Sequence, residues 1–416
     1  MKPYLIVILL LCTVIPVFGQ DKLQQYLDEG NYFKLKQYLP YSQLTPEKRL
    51  YFEAYVANAF NQNSISILKI DSLLYTDSIR NNNERAAQLW ELQMDNYSKL
   101  YNYKKAADCG DTILNRYSTY VDNKEDVENM YKIWAGLANT PAQLLEKKGN
   151  VTIRMQKDKS KLWNVPVHAA DTTIDFIFDT GANISTIVES MAEKLHLKRL
   201  HLSIEVAGIQ GTKVPCDIGV ADSIEIGDIK IRNVVFLVLP DASLSFKKAG
   251  YYIHGIIGYP VIAAMKEIHL SQIGSLTIPM APHTGKVQNL ALDGMFPMVN
   301  VATDDDTLLF HFDTGAMTSY LYSIYFEKYK AAIKKEGRVQ HSKVGGAGGV
   351  KKLTSYKISD FNLYIGDKKA TLPSIDVLTK QIKSTKEQVY GNLGQDLIRQ
   401  FDEMVINFES MYVEFN

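Results

Sequence analysis

Phe176-Ile177-Phe178-Asp179-Thr180-Gly181-Ala182 recurs in this chain as Phe310-His311-Phe312-Asp313-Thr314-Gly315-Ala316, and each copy carries a serine three residues after its alanine, Ser185 and Ser319. A second landmark follows each copy at nearly the same distance, Ile256-Ile257-Gly258 and then Asn392-Leu393-Gly394. Beyond each glycine comes a short helix-like stretch (261–265 and 397–401) and a strand-like ending (268–276 and 404–415). Between the landmarks each copy has a glycine-bearing segment, Val206-Ala207-Gly208-Ile209-Gln210-Gly211 and Val344-Gly345-Gly346-Ala347-Gly348-Gly349, suited to a hairpin tip or a flap. Ordered landmarks repeated in one chain mark an internal duplication.

The surroundings agree with a β-rich setting. Short runs at 165–167, 174–178, 224–231 and 234–239 are rich in β-branched residues and separated by turn residues. Upstream, apolar residues recur at three- and four-residue spacing, as in Phe52, Tyr55 and Ala59 or Trp90, Met94, Tyr97 and Tyr101. Helical hairpins are predicted with turns at Gly30-Asn31, Asn61-Gln62-Asn63 and Tyr101-Asn102-Tyr103. Their spacing resembles tetratricopeptide-type repeats, with an irregular helical bundle as the alternative. The expected architecture is multidomain: all-α hairpins over 20–148, then a mainly β bilobal half with units at 149–282 and 283–416.

Residues 1–19 read as a signal peptide. Lys2 precedes an apolar run over 5–18, broken by Thr13 and Pro16, and Gly19 stands before polar Gln20. The run is short for a membrane span, so the mature chain is expected to be exported, periplasmic or secreted, with no integral span; an uncleaved anchor is the other reading. Lys plus Arg equals Asp plus Glu at 46 each, which argues against nucleic acid as the main partner. After signal removal only Cys109 and Cys216 remain, expected in different domains as small buried hydrophobes rather than a disulfide.

Two Asp-Thr-Gly-Ala motifs, each preceded by an apolar strand and followed by an apolar-Gly element, resemble the aspartic peptidase superfamily of pepsins and retropepsins. The resemblance spans about residues 160–416 and implies an acid-protease fold of two retropepsin-like lobes in one chain, acting as an endopeptidase. It makes Asp179 and Asp313 the catalytic pair. Thr180 and Thr314 would bond across to the opposite lobe, and Gly181 and Gly315 would let the backbone approach the carboxyls. Gly258 and Gly394 would pack under the opposing Asp loop. Gly208, Ile209, Gln210 and Gly211, with Gly345, Gly346, Ala347 and Gly348, become flap candidates for substrate binding. Neither segment holds the Tyr that pepsin-like enzymes place over the cleft.

Two carboxylates sharing one proton can supply both base and acid to hydrolysis without a cofactor. Ala182 and Ala316 cannot donate a hydroxyl to the pair, so the optimum is expected nearer mildly acidic or neutral pH. Asn392 reads as a mild irregularity away from the dyad, and His311 as a strand-surface residue. His168, His254 and His269 show no metal-ligand spacing, so no metal is expected. The expected partner is a peptide or protein substrate, and a further protein could dock on the helical half. The rival reading is a non-catalytic peptide-binding or scaffold protein that keeps the bilobal shape.

Overall fold

The computed structural model describes residues 19–207, 213–346, 349–382 and 388–416. The remainder of the expected signal peptide, 1–18, lies outside these residues. Helices Gln20–Asp28, Tyr32–Tyr38, Pro46–Ala59, Asn63–Leu74, Asn83–Lys99, Tyr103–Thr112 and Lys124–Gly136 form the first part of the chain. Short polar side chains set their starts. Asn31, Thr45, Asn82, Asn102 and Asn123 each accept a backbone N–H of the first turn. The intervening turns use left-handed backbone at Gly30, Asn61 and Tyr101.

The last of these helices ends at Gly136, and Leu144–Glu146 is already a strand paired with Ile229–Leu239. The helical part therefore stops short of the expected 148. It also shares its core with the strands. Leu23, Leu35, Phe52, Ile70 and Leu89 form one apolar cluster, but Phe60, Tyr103, Ala106 and Trp134 belong to the same cluster as the β residues. Tyr101 Oη and Gln143 Nε2 donate to the carbonyl of Pro260 at 2.7 and 2.9 Å, and Asn61 Nδ2 donates to that of Phe408 at 2.9 Å. Gly136 leaves room for Leu202, since a Cβ there would lie 2.6 Å from its Cδ1. A chain beginning at residue 144 would expose this shared core and is expected to aggregate or unfold without cooperativity. Soluble expression with a sharp melting transition would show instead that the helices are separable.

The duplication appears as one topology built twice. In the first unit Thr172–Phe178 pairs antiparallel with Trp163–Ala169 and parallel with Gly255–Ile257, which in turn runs antiparallel to Ser185–Val188. In the second, Thr307–Phe312 pairs antiparallel with Phe296–Ala302 and parallel with Gly391–Leu393, which runs antiparallel to Tyr320–Leu321. Each unit adds a long hairpin, Lys198–Ala207 with Lys213–Ile226 and Arg338–Gly346 with Gly349–Ile365. A five-stranded sheet joins the units. Its central pair is Glu267–Ser271 against Glu403–Asn407, flanked by Ser275–Ile278 and Val151–Arg154 on one side and Tyr412–Phe415 on the other.

Candidate active site

Each Asp sits in the loop that leaves the buried strand of its unit. Phe176, Phe178, Phe310 and Phe312 are fully buried and anchor those strands. The apolar-Gly element lies alongside in parallel, Ile257 opposite Phe178 and Leu393 opposite Phe312. Backbone bonds then hold the loops, Asp179 N–H to the Ile257 carbonyl and Asp313 N–H to that of Leu393.

The two loops meet through their threonines. Thr180 Oγ1 donates to the Phe312 carbonyl and accepts from Thr314 N–H, at 2.8 and 3.0 Å. Thr314 Oγ1 does the same with the Phe178 carbonyl and Thr180 N–H, again at 2.8 and 3.0 Å. Both side chains are fully buried, so every one of these groups would be orphaned without its partner. Gly181 N–H donates to Asp179 Oδ1 at 2.8 Å and Gly315 N–H to Asp313 Oδ1 at 2.9 Å. The glycines are required by space. A Cβ on Gly181 would lie 2.8 Å from Asp313 Cγ, and one on Gly315 would fall on the Asp179 carboxyl.

Each Asp carboxyl lies against the glycine of the other loop, so the charge of one bears on the other. Burial pushes the Asp179 carboxyl well above the usual carboxylate range, and the adjacent charge of Asp313 pushes it further. Burial raises Asp313 too, but Asn392, Asp179 and the Gly315 and Ala316 N–H groups stabilise its charge. Burial thus makes ionisation harder for both carboxyls, and they titrate as a pair rather than as two independent groups.

Residues 165–261 match the family model described as aspartyl protease. That segment carries Asp179, Thr180, Gly181 and Gly258, and ends before the second copy. The match supports a peptidase. No curated protein gives a significant match to the chain.

Several placements differ from the sequence reading. Gly258 and Gly394 pack against their own Asp loops, not the opposing ones: a Cβ would lie 2.5 Å from the Ala182 carbonyl oxygen and 2.6 Å from that of Ala316. Parallel pairing spends the apolar-Gly element within its unit and leaves the crossing to the threonines. Asn392 is no bystander, because its Nδ2 donates to Asp313 Oδ2 at 2.9 Å. Ile256 holds the corresponding place in the first copy, so the pair is asymmetric. His311 is largely buried, its side chain 18% exposed: its ring meets Phe296 edge-on with centroids 4.1 Å apart, and its Nδ1 lies 3.2 Å from Tyr322 Oη.

Ser185 and Ser319 received no role from the sequence, although their repeated spacing was the available signal. Their hydroxyls accept the N–H of Gly258 and Gly394, each at 3.0 Å, and so fasten the glycine element to the loop. Flap candidates Gly208, Ile209, Gln210, Gly211, Ala347 and Gly348 lie outside the described residues. Gly345 and Gly346 end the strand Arg338–Gly346, opposite Val350 and Gly349. Cys109 and Cys216 are buried, unbridged thiols, each pushed up to about 12 by burial.

Proposed function

We propose that the chain is an exported aspartic endopeptidase whose catalytic pair is Asp179 and Asp313, held between two retropepsin-like lobes. The observation that supports this reading is the reciprocal threonine bonding, which sets the two Asp loops, one from each copy, side by side. Asp313, anionic, takes a proton from a water as its oxygen attacks the scissile carbonyl carbon. Asp179 gives its proton to the carbonyl oxygen, leaving a tetrahedral diol. As the C–N bond breaks, Asp313 passes its proton to the departing nitrogen and a diol hydroxyl returns one to Asp179. Water is consumed and the pair is restored.

Export rests on the apolar run over 5–18. The helical part fits tetratricopeptide-type hairpins and would present substrate or bind a protein partner. It is an unsuitable removable prosegment, because it shares the β core.

The reading is tested by incubating the purified chain with a mixed peptide library from about pH 3 to 8. Internal cuts with a mildly acidic or neutral optimum are expected. An optimum near pH 2 would overturn the inference from Ala182 and Ala316. A folded chain that binds peptides without cutting them would favour a binding module.

Asn392 gives a sharper expectation. Its donor stabilises the Asp313 charge, so Asn392→Leu makes the first ionisation of the pair harder. The acid limb of the pH–rate profile should move to higher pH by about 1 unit, since a hydrogen bond to a charged group contributes roughly 1.5–3 kcal/mol and part is already shared. An unmoved acid limb would detach Asn392 from the chemistry.

A further inference from the structure

The joining sheet holds a cluster that the sequence reading missed. Glu267 and His269 stand two apart on the strand Glu267–Ser271, so both side chains leave the same face. His283 arrives from the segment after Ser275–Ile278. Glu267 is fully buried, and its Oε1 lies 2.6 Å from both His269 Nε2 and His283 Nδ1. Its Oε2 is already taken, accepting from the His283 N–H at 2.7 Å and from Asn407 Nδ2 at 2.5 Å, with Tyr412 Oη at 3.5 Å. One carboxylate oxygen is thus tethered while the other faces two imidazole nitrogens.

We propose that Glu267, His269 and His283 bind a zinc ion that clasps the joining sheet. The three donor atoms lie within 4.8 Å of one another. Tetrahedral zinc, with bonds of about 2.0–2.2 Å, separates its ligand atoms by roughly 3.3–3.5 Å, so the two oxygen–nitrogen separations of 2.6 Å need to open by less than about 1 Å. Two borderline imidazole donors with one harder carboxylate are a ligand set that zinc accepts; a calcium or magnesium site would be built from oxygens.

The surroundings behave as an outer ligand sphere. His269 Nδ1 lies 3.6 Å from Glu403 Oε2, so the nitrogen left over from zinc binding faces a carboxylate. The His283 carbonyl accepts from Asn407 Nδ2 at 2.9 Å and from Ser410 Oγ at 3.1 Å, which pins that residue to the second unit. His283 is 62% exposed and His269 21%. The ion can therefore enter, and a water can complete the tetrahedron. Binding would tie the first unit and its following segment to groups of the second.

This site is independent of the peptidase reading, because its test reads metal rather than cleavage. The full chain, purified without a histidine tag, is equilibrated with zinc sulfate, dialysed and analysed for metal. A single zinc retained per chain, a rise in Tm with added zinc, and tetrahedral d–d bands after cobalt substitution are expected. His283→Gln changes an exposed side chain and should stay folded while binding zinc at least about tenfold more weakly. Glu267→Gln should lose the site altogether, and if it fails to fold, His269→Gln replaces it. Equal zinc retention by the wild type and His283→Gln, with no cobalt bands and no Tm change, would reduce the cluster to a hydrogen-bonded ion pair and overturn the proposal.

Discussion

Asp179→Asn and Asp313→Asn should each abolish peptide cleavage, lowering kcat/KM by about 10³-fold or more while the chain stays folded. An amide keeps an oxygen for the Gly181 or Gly315 N–H, so the loop geometry survives, but it can neither hold nor return the travelling proton. The double variant should be no worse than either single one, because the two carboxyls act as one device. Either variant retaining activity within tenfold of the parent would remove that residue from the chemistry. Stability should move in the opposite direction. Asp179 has a folded-state pKa raised above its unfolded value, so its contribution to stability is fully present below about pH 4 and is lost as pH rises through the raised value. Asp179→Asn escapes that loss. Thermal melts should therefore show the variant gaining on the parent between about pH 4 and neutrality.

Thr180→Val is expected to destabilise the chain by about 2–4 kcal/mol, although it changes little in shape. The hydroxyl both donates to the Phe312 carbonyl and accepts the Thr314 N–H, so its loss orphans two buried groups of the other unit. Thr314→Val should cost a similar amount by the mirrored route. Urea unfolding measures both, and Thr180→Ser, which keeps the hydroxyl, should recover most of the loss. A change below about 0.5 kcal/mol, the scale of an ordinary surface substitution, would show that the threonines do not hold the loops together.

The helices were legible because their signals are local. Asn and Thr caps, a left-handed turn at Gly30 and apolar spacing depend on residues a few positions apart. The two Asp-Thr-Gly loops were legible through repetition, which points to equivalent environments without naming their contacts. Misreadings arose where a residue's meaning depends on its neighbour across a strand. Asn392 seemed an irregularity until parallel pairing set it abreast of His311 and its amide reached Asp313. Gly258 and Gly394 were given the wrong partner for the same reason. In the zinc cluster, Glu267 and His269 are neighbours at strand spacing, but His283 joins them only after the chain turns back along Ser275–Ile278.

The sequence by itself determined that two equivalent Asp loops exist, which strands carry them, and that a helical half precedes them, since each follows from residue type and short-range period. Only the tertiary structure decided how the loops lock and which buried polar groups meet. Those outcomes depend on pairings between residues distant in sequence, such as Thr180 with Phe312. Period and propensity tell a side chain which face to take, but the group waiting on that face is set by the fold.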